Sequence, residues 1–269
     1  MLKDITLGQY FPGNSIIHRL DPRTKLIVLV VYIVALFLAV SWVSYGLMAA
    51  FLITCIAISG IPAKSFLKGM KPLILILCFT GLLNLFFTTG EGDPLVDVLG
   101  ITIYAEGILR AIFMVVRILM LITCTFLLTY TTSPISLTDG LEALLNPLKR
   151  IKVPVHELSM MMCIALRFIP TLIEETDKIM SAQKARGADF ETGKLMDRIK
   201  ALIPILVPLF VGAFRRADEL ATAMECRCYQ GGEGRTKMKL LRYKRWDILA
   251  YGIAGLLVAL TLVLRTFGL

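Results

Sequence analysis

Five long apolar runs constrain the fold of this chain more strongly than any other feature of its sequence. A transmembrane helix needs about 20 consecutive, mostly apolar residues, because the hydrocarbon core of a bilayer is about 30 Å thick. The runs that meet this requirement cover residues 26–43, 44–60, 73–89, 107–130 and 248–266. The sequence therefore predicts an all-α integral membrane protein with five transmembrane helices.

The distribution of lysine and arginine predicts the orientation of these spans. Residues 1–25 contain four basic residues, residues 61–72 contain three and residues 131–247 contain nineteen, whereas residues 90–106 contain none. Basic residues are enriched in the cytoplasmic loops of membrane proteins. The N-terminus and residues 131–247 are therefore predicted to be cytoplasmic, and the C-terminus is predicted to lie outside. The same topology explains the formal net charge of +9, so nucleic-acid binding is not predicted.

Charge and hydropathy divide the chain into three predicted parts. Residues 1–130 form a membrane domain of four spans, residues 131–247 a cytoplasmic domain of three helices, and residues 248–269 the fifth span. The two longer cytoplasmic helices each begin with apolar residues and end with charged ones. An alternative interpretation makes their apolar halves two further spans. The charge of Arg167 and the charged second halves favour helices that lie against the inner face of the membrane.

A short motif occurs twice, once at the end of each longer cytoplasmic helix. Ala185-Arg186-Gly187 and Cys226-Arg227-Cys228 both contain an arginine between two small residues. Glycine is favoured just after a helix end, and arginine in the last turn interacts favourably with the helix dipole, so both motifs fit helix C-termini. Small neighbours also leave the guanidinium free to enter a groove of a partner, where its planar donors suit a carboxylate. The repetition predicts two partner grooves of the same kind.

A third motif, GQYFPGNSIIHRLDPRTKL, covers residues 8–26. Its Asp21-Pro22 pair predicts an N-cap followed by a proline at the first helical position of the first span. The motif completes a pattern that resembles a known family. Together with the two arginine motifs, it makes the whole chain similar to the transmembrane coupling component (T component) of energy-coupling factor transporters. The resemblance implies that the two long helices cross and dock through their arginines on two ATP-binding cassette subunits. It also implies a small membrane-embedded subunit that captures a vitamin or a metal. The cysteines that flank Arg227 depart from the family pattern, and their small volume predicts that docking persists.

The resemblance implies roles for two groups of residues. The predicted ATPase-docking residues are Ala185, Arg186, Gly187, Cys226, Arg227 and Cys228. The predicted contacts with the capture subunit lie in the apolar halves, and they are Met160, Met161, Leu166, Leu206 and Leu209. The chain is thus predicted to be the non-catalytic scaffold subunit of an ATP-driven importer in the bacterial cell membrane. ATP and Mg²⁺ are predicted to bind two similar or identical ATPase subunits, and no cofactor is predicted for this chain.

No catalytic or metal site is predicted for the chain itself. The nearest approach to a phosphate-binding loop, GADFETGKL at residues 187–195, is one residue too long and has Leu195 instead of a hydroxyl residue for Mg²⁺. The six cysteines are scattered and form no C-x-x-C pair, so neither a disulfide nor a zinc site is predicted. His18 is predicted to cap a helix or to pack.

Arg117 supports an alternative function. It lies inside the fourth predicted span, and a charged residue within the membrane commonly marks a transport or catalytic site. On this interpretation the protein is a self-sufficient secondary transporter or an intramembrane enzyme. The competing interpretation is that Arg117 pairs internally, for example with Asn84. The first four spans lack the internal repeat of many secondary transporters, which favours the scaffold.

Overall fold

Helices make up nearly all the regular structure. The computed structural model describes residues 10–87, 96–98, 101–103, 105–188, 190, 195–231 and 240–267. Its helices are α1 (Ile16–Arg19), α2 (Pro22–Leu38), α3 (Trp42–Ser59), α4 (Ala63–Met70), α5 (Ile74–Phe87), α6 (Ala105–Thr131), α7 (Pro134–Leu145), α8 (Val155–Ala185), α9 (Leu195–Glu225) and α10 (Arg245–Thr266). The predicted all-α membrane fold is confirmed. One short antiparallel hairpin, which was not predicted, pairs β1 (Val96–Val98) with β2 (Ile101–Ile103).

Five helical segments in these ranges are long and apolar enough to cross a membrane, judged by length and composition. They cover Trp42–Ser59, Ala63–Leu85, Gly107–Thr131, Val155–Ala185 and Arg245–Thr266. Four of them overlap predicted spans. The remaining predicted span falls in α2, whose 17 residues place it at the lower limit for spanning a bilayer. In contrast, α8 is one of the five candidate spans although no span was predicted there, because its 31 residues include a long apolar first half. Its location on the inner face of the membrane stays a prediction.

The chain divides into two compact units. Within the described ranges, the larger unit contains the residues up to 141 and those from 241 onward, and the smaller unit contains the residues between 142 and 240. Helices α1–α6 and α10 belong to the larger unit, and α8 and α9 belong to the smaller one. The predicted domain boundaries after residues 130 and 247 stay predictions.

The larger unit is built around α2, which packs against α6 and α10. Its core consists mainly of large buried side chains from α2, α3 and α6, with further residues from α4 and α10, and it includes Tyr32, Leu36, Met48, Leu52, Met120 and Tyr130. At the start of α2 the backbone of α7 comes very close. A Cβ atom at Gly140 would lie only 2.8 Å from the Cβ of Pro22, so this approach requires glycine.

The start of α2 is fixed by the N-terminal motif. Asp21 caps the helix by accepting a hydrogen bond from the Arg23 N–H at 3.0 Å, and Pro22 occupies the first helical position, as predicted. The fully buried carboxylate of Asp247 accepts from the N–H of Asp21 at 2.8 Å and from the N–H of Lys244 at 2.6 Å. One carboxylate therefore satisfies backbone donors just ahead of both α2 and α10 and ties these helix starts together.

Candidate functional site: two arginine-capped helix ends

The smaller unit contains α8 and α9, which run antiparallel. In the middle of the pair, Glu175 Oε2 and Arg216 Nη2 form an ion pair at 2.6 Å. Gly212 lies beside this ion pair, because a Cβ atom there would be 3.1 Å from Glu175 Oε1. Nearer the end of α8, Gln183 Nε2 donates to the carbonyl of Pro204 at 3.5 Å. Later residues of α8 thus meet earlier residues of α9, which fixes the antiparallel direction.

The end of α8 is closed by two backbone hydrogen bonds around Arg186. The N–H of Ala188 donates to the carbonyl of Gln183 at 3.0 Å, and the N–H of Gly187 donates to the carbonyl of Lys184 at 3.0 Å. Gly187 has a φ of +86°. This combination is the Schellman arrangement, in which Arg186 is the C-cap and the next residue adopts the left-handed conformation.

The end of α9 has the same arrangement around Arg227. The N–H of Tyr229 donates to the carbonyl of Met224 at 3.0 Å, and the N–H of Cys228 donates to the carbonyl of Glu225 at 2.8 Å. Cys228 has a φ of +55°, so it occupies the left-handed position without being a glycine. The two sequence motifs are therefore two copies of one backbone structure, with arginine as the C-cap in each.

The arginines are accessible and lie far apart. Arg186 and Arg227 are both exposed, and in the part of the chain that the structure describes neither side chain has a hydrogen bond or an ion pair. Because the helices are antiparallel, their C-termini lie at opposite ends of the pair. Each helix has 31 residues, so a rise of about 1.5 Å per residue separates the two arginines by roughly 40 Å. The two arginines are therefore accessible at opposite ends of the helical pair.

A cavity of about 440 Å³ opens beside Arg227. Its walls include Met160 and Ile164 from the start of α8, and Leu220 and Met224 from the end of α9. The cavity exists because antiparallel packing brings opposite ends of the two helices together. The sequence carried no signal for it, since neither helix contains the cavity by itself.

The predicted contacts with the capture subunit fall into two regions. Met160, Met161 and Leu166 lie in the first half of α8, next to the second half of α9. Leu206 and Leu209 lie in the first half of α9, toward the other end of the pair. Met161 is 54% exposed and Leu206 is 46% exposed, whereas the other three are partly buried. The role of these residues stays a prediction, and the structure does not bring them into one patch.

Arg117 pairs inside the larger unit, but not with the predicted partner. Its Nε donates to Tyr45 Oη at 2.8 Å, and Nη2 donates to the carbonyl of Ala39 at 3.4 Å. The guanidinium also lies 5.5 Å from the ring centroid of Phe37, which adds a cation–π contact. The predicted pairing with Asn84 is wrong, because the Asn84 amide donates at 3.0 Å to a backbone carbonyl one turn earlier in its own helix.

His18 packs, which is one of its two predicted roles, and the N-cap of α1 is Ser15. The Nε2 of His18 donates to the carbonyl of Phe11 at 3.0 Å, and its Nδ1 accepts from the hydroxyl of Ser15 at 2.7 Å. The ring covers Gly13, where a Cβ atom would lie 2.8 Å from His18 Cε1. Burial lowers the pKa of His18, which favours the neutral ring that these two hydrogen bonds require. This histidine orders the N-terminal motif.

Within the described ranges, no group of three or more His, Cys, Asp or Glu side chains could hold a metal ion. All six cysteines are free thiols. That the chain itself binds no cofactor stays a prediction.

Comparison with known proteins finds similar chains over nearly the full length. The cobalt transport protein family (CbiQ) matches residues 13–238. A protein of Ruminiclostridium cellulolyticum is 54% identical over 253 residues, which are 94% of either chain. A protein of Thermosediminibacter oceani is 53% identical over 264 residues, 98% of this chain and 99% of that one. A protein of Bacillus subtilis is 49% identical over 265 residues, which are 98% of this chain and 100% of that one. Each is named energy-coupling factor transporter transmembrane protein EcfT.

Proposed function

The chain belongs to the energy-coupling factor transporter transmembrane family, and from this premise we propose that it is the scaffold subunit of an ATP-driven importer. It is a multi-pass membrane component of a transporter complex. In our proposal it couples two similar or identical ATP-binding cassette subunits to a small membrane subunit that captures a vitamin or a metal. The chain itself catalyses no reaction, and ATP and Mg²⁺ bind the ATPase subunits.

The shared backbone of the two helix ends is the observation that carries this proposal. Arg186 and Arg227 are each the C-cap of a long helix, each followed by a left-handed residue. Arginine suits planar recognition of carboxylates and is enriched among the residues that dominate binding energy. Two equivalent arginines at opposite ends of one helical pair support two equivalent partners, each with an acidic groove.

The helical pair is suited to transmit movement. The Glu175–Arg216 ion pair is partly buried, and Gly212 allows the backbone of α9 to approach the Glu175 carboxylate closely. These contacts favour movement of α8 and α9 as one body. When ATP binding closes the two ATPases, their grooves shift, the helix ends follow, and the movement reaches the rest of α8 and α9.

An apolar surface on α9 supports a second partner. Its exposed large side chains are Leu202, Ile203, Leu206, Val207, Phe210, Val211 and Phe214. Exposed apolar surfaces of this kind commonly mark interaction sites. We assign this surface to the capture subunit, and we assign Met161, which lies in the other region of the pair, to a second and separate contact with the same subunit. Leu206→Glu is then expected to release the capture subunit while both ATPases stay bound, which co-purification measures. A retained capture subunit with unchanged uptake would remove this assignment.

The proposed orientation follows from charge. Basic residues are concentrated in residues 1–25 and 131–247, which are the segments assigned to the cytoplasm. The arginine-capped ends then face the compartment that contains ATP, and the C-terminus lies outside. The host membrane is the bacterial cell membrane.

Co-purification of the complex tests the proposal. A tag on this chain is used to recover the complex from membranes, and the recovered ATPase is quantified. The double variant Arg186→Ala/Arg227→Ala is expected to lose both ATPases and substrate uptake while the chain stays in the membrane fraction. Arg215→Ala is the matched control, because Arg215 is also an exposed arginine on α9 and pairs one turn away with Glu219 at 3.2 Å. If the double variant keeps its ATPases and full uptake, the arginines only cap helices.

A further inference from the structure

A cleft of about 300 Å³ lies between α1, α2, α3, α6 and α10 in the larger unit. Its walls are almost entirely apolar and include Leu29, Phe51, Leu128, Trp246 and Ile253. The volume is at the lower end of the range of about 300–1,000 Å³ that is typical of ligand pockets. The contacts described above leave this cleft without a role.

The wall of the cleft includes one buried basic residue, Lys25. Lys25 is only 8% exposed, and its Nζ donates to the carbonyl of Thr131 at 2.9 Å and to Thr132 Oγ1 at 3.0 Å. Both acceptors are neutral, whereas an ammonium has three donors. Among the described residues no carboxylate forms an ion pair with Lys25. Asp247 and Asp21 act on Lys25 only at longer range, without an ion pair. Burying a charge without a direct counter-ion is costly, so an anionic group of a ligand would stabilise Lys25 further.

The surrounding segments carry an excess of positive charge. Residues 19–25 and 244–247, which border the cleft, contain five basic and two acidic residues. Asp21 and Asp247 are already engaged with backbone N–H groups. Arg19 and Arg245 are exposed, and each is next to a residue of the cleft wall. The site therefore combines an apolar cleft with a basic rim.

We propose that this cleft binds one acyl chain of an anionic phospholipid, with the lipid phosphate beside Lys25 and the basic rim. The apolar wall suits the chain, and the charge suits the phosphate. Basic pockets between membrane helices on the cytoplasmic side are known to take lipid head groups, and the start of α2 is on the side assigned to the cytoplasm. A bound lipid would fill the space between α2, α3 and α10.

Lipid binding to the purified full chain in detergent tests this site. Native mass spectrometry compares phosphatidylglycerol with phosphatidylcholine of identical acyl chains. The wild type is expected to retain one phosphatidylglycerol at least about fivefold more tightly, since each basic residue near the phosphate contributes about fivefold. Ala250→Phe puts a ring into the cleft wall and is expected to abolish retention. Ala259→Phe is the matched control, because Ala259 is exposed on the same helix and does not line the cleft.

The fluorescence of Trp246 gives a second readout in the same protein. The chain has two tryptophans, so Trp42→Phe leaves Trp246 in the cleft wall as the reporter. Brominated phosphatidylglycerol is expected to quench it saturably, and Arg19→Gln is expected to weaken this lipid about fivefold without changing phosphatidylcholine. If Ala250→Phe does not fold, Ala250→Leu is expected to weaken retention partially.

Three results would overturn the proposal. The first is equal affinity for the two phospholipids, and the second is unchanged retention in Ala250→Phe or in Ala250→Leu. The third is saturation of the site by brominated oleate but not by brominated phosphatidylglycerol, which would identify a free fatty acid as the ligand.

Discussion

The ends of α8 and α9 have the same hydrogen bonds and the same backbone conformation, but different residues produce them. Gly187 adopts the left-handed conformation without a steric penalty. Cys228 adopts it with a β-carbon present, at φ +55°, which costs roughly 1–2 kcal/mol. What the two ends share is thus an arginine at the C-cap followed by a left-handed residue. In our proposal, the small neighbours give a partner access to the arginine, and the left-handed residue sets the position of the arginine.

The two ends also differ in their surroundings. The end of α9 borders a cavity lined by Met160 and Met224, which can receive an apolar side chain of a partner next to Arg227. The α8 end presents Arg186 between two exposed small residues. We therefore expect equivalent polar contacts at both ends and an additional apolar contact at the end of α9.

The largest expected effect comes from removing one arginine at a time. Arg186→Ala and Arg227→Ala should each weaken ATPase binding by about 2–5 kcal/mol, partly because an acidic group of the partner loses its counter-ion. Arg→Lys at either position should restore part of the affinity, because lysine cannot reproduce the planar donor arrangement. Affinity measurements with purified ATPase check the loss in the alanine variants and the partial recovery in the lysine variants. A strong loss at only one end would break the equivalence of the two ends.

A bulky residue just before the arginine should have the next largest effect. Ala185→Phe and Cys226→Phe change equivalent exposed positions and leave the left-handed residue untouched. Each is expected to weaken ATPase binding about tenfold, or about 1.4 kcal/mol, by blocking entry of the arginine into its groove. Normal hydrogen exchange at the helix end is the control for folding. Full affinity in both variants would show that access does not depend on small neighbours.

Swapping the residue types at the two left-handed positions tests whether these helix ends require a positive φ. Gly187→Cys gives the end of α8 the residue found at the end of α9. It is expected to destabilise the last turn by about 1 kcal/mol, measured as faster hydrogen exchange in that turn. An unchanged exchange rate would mean that this helix end does not require φ above zero.

The reciprocal change should have the smallest effect. Cys228→Gly removes the steric cost at the end of α9 but increases the conformational freedom of the unfolded chain. A net stabilisation of about 0.5 kcal/mol is expected, seen as slower hydrogen exchange near Tyr229. Cys226→Gly serves as the control and should destabilise, because position 226 does not have positive φ. Destabilisation by Cys228→Gly would contradict the strain assigned to Cys228.

Features that depend on neighbouring residues could be predicted from the sequence. The aspartate–proline pair at Asp21 predicted the N-cap of α2, because capping is a contact over two or three residues. Glycine at 187 predicted the end of α8, because glycine favours the left-handed position. Apolar runs predicted the membrane fold and four of the five candidate spans, because hydropathy acts over one helix length.

Features that depend on distant residues could not be predicted in this way. Cysteine has no preference for positive φ, so nothing in the local sequence identified the conformation of Cys228. Arg117 pairs with Tyr45 of α3, which lies 72 residues earlier, and the sequence offered no reason to choose it over Asn84. The separation of the two apolar halves, and the cavity beside Arg227, follow from antiparallel packing of α8 and α9. Packing of this kind is decided by tertiary contacts such as Glu175–Arg216.

Simultaneous cross-linking from both helix ends tests the central claim most directly. A photoreactive phenylalanine analogue is introduced at Ala182 and at Ala223, which are exposed and lie one turn before Arg186 and Arg227. After illumination of the assembled transporter, each single-site variant is expected to form an adduct with one ATPase subunit. The variant with both sites is expected to form a species that contains two ATPase subunits. Adducts that never contain more than one ATPase, or no ATPase adduct from one of the two sites, would contradict the account.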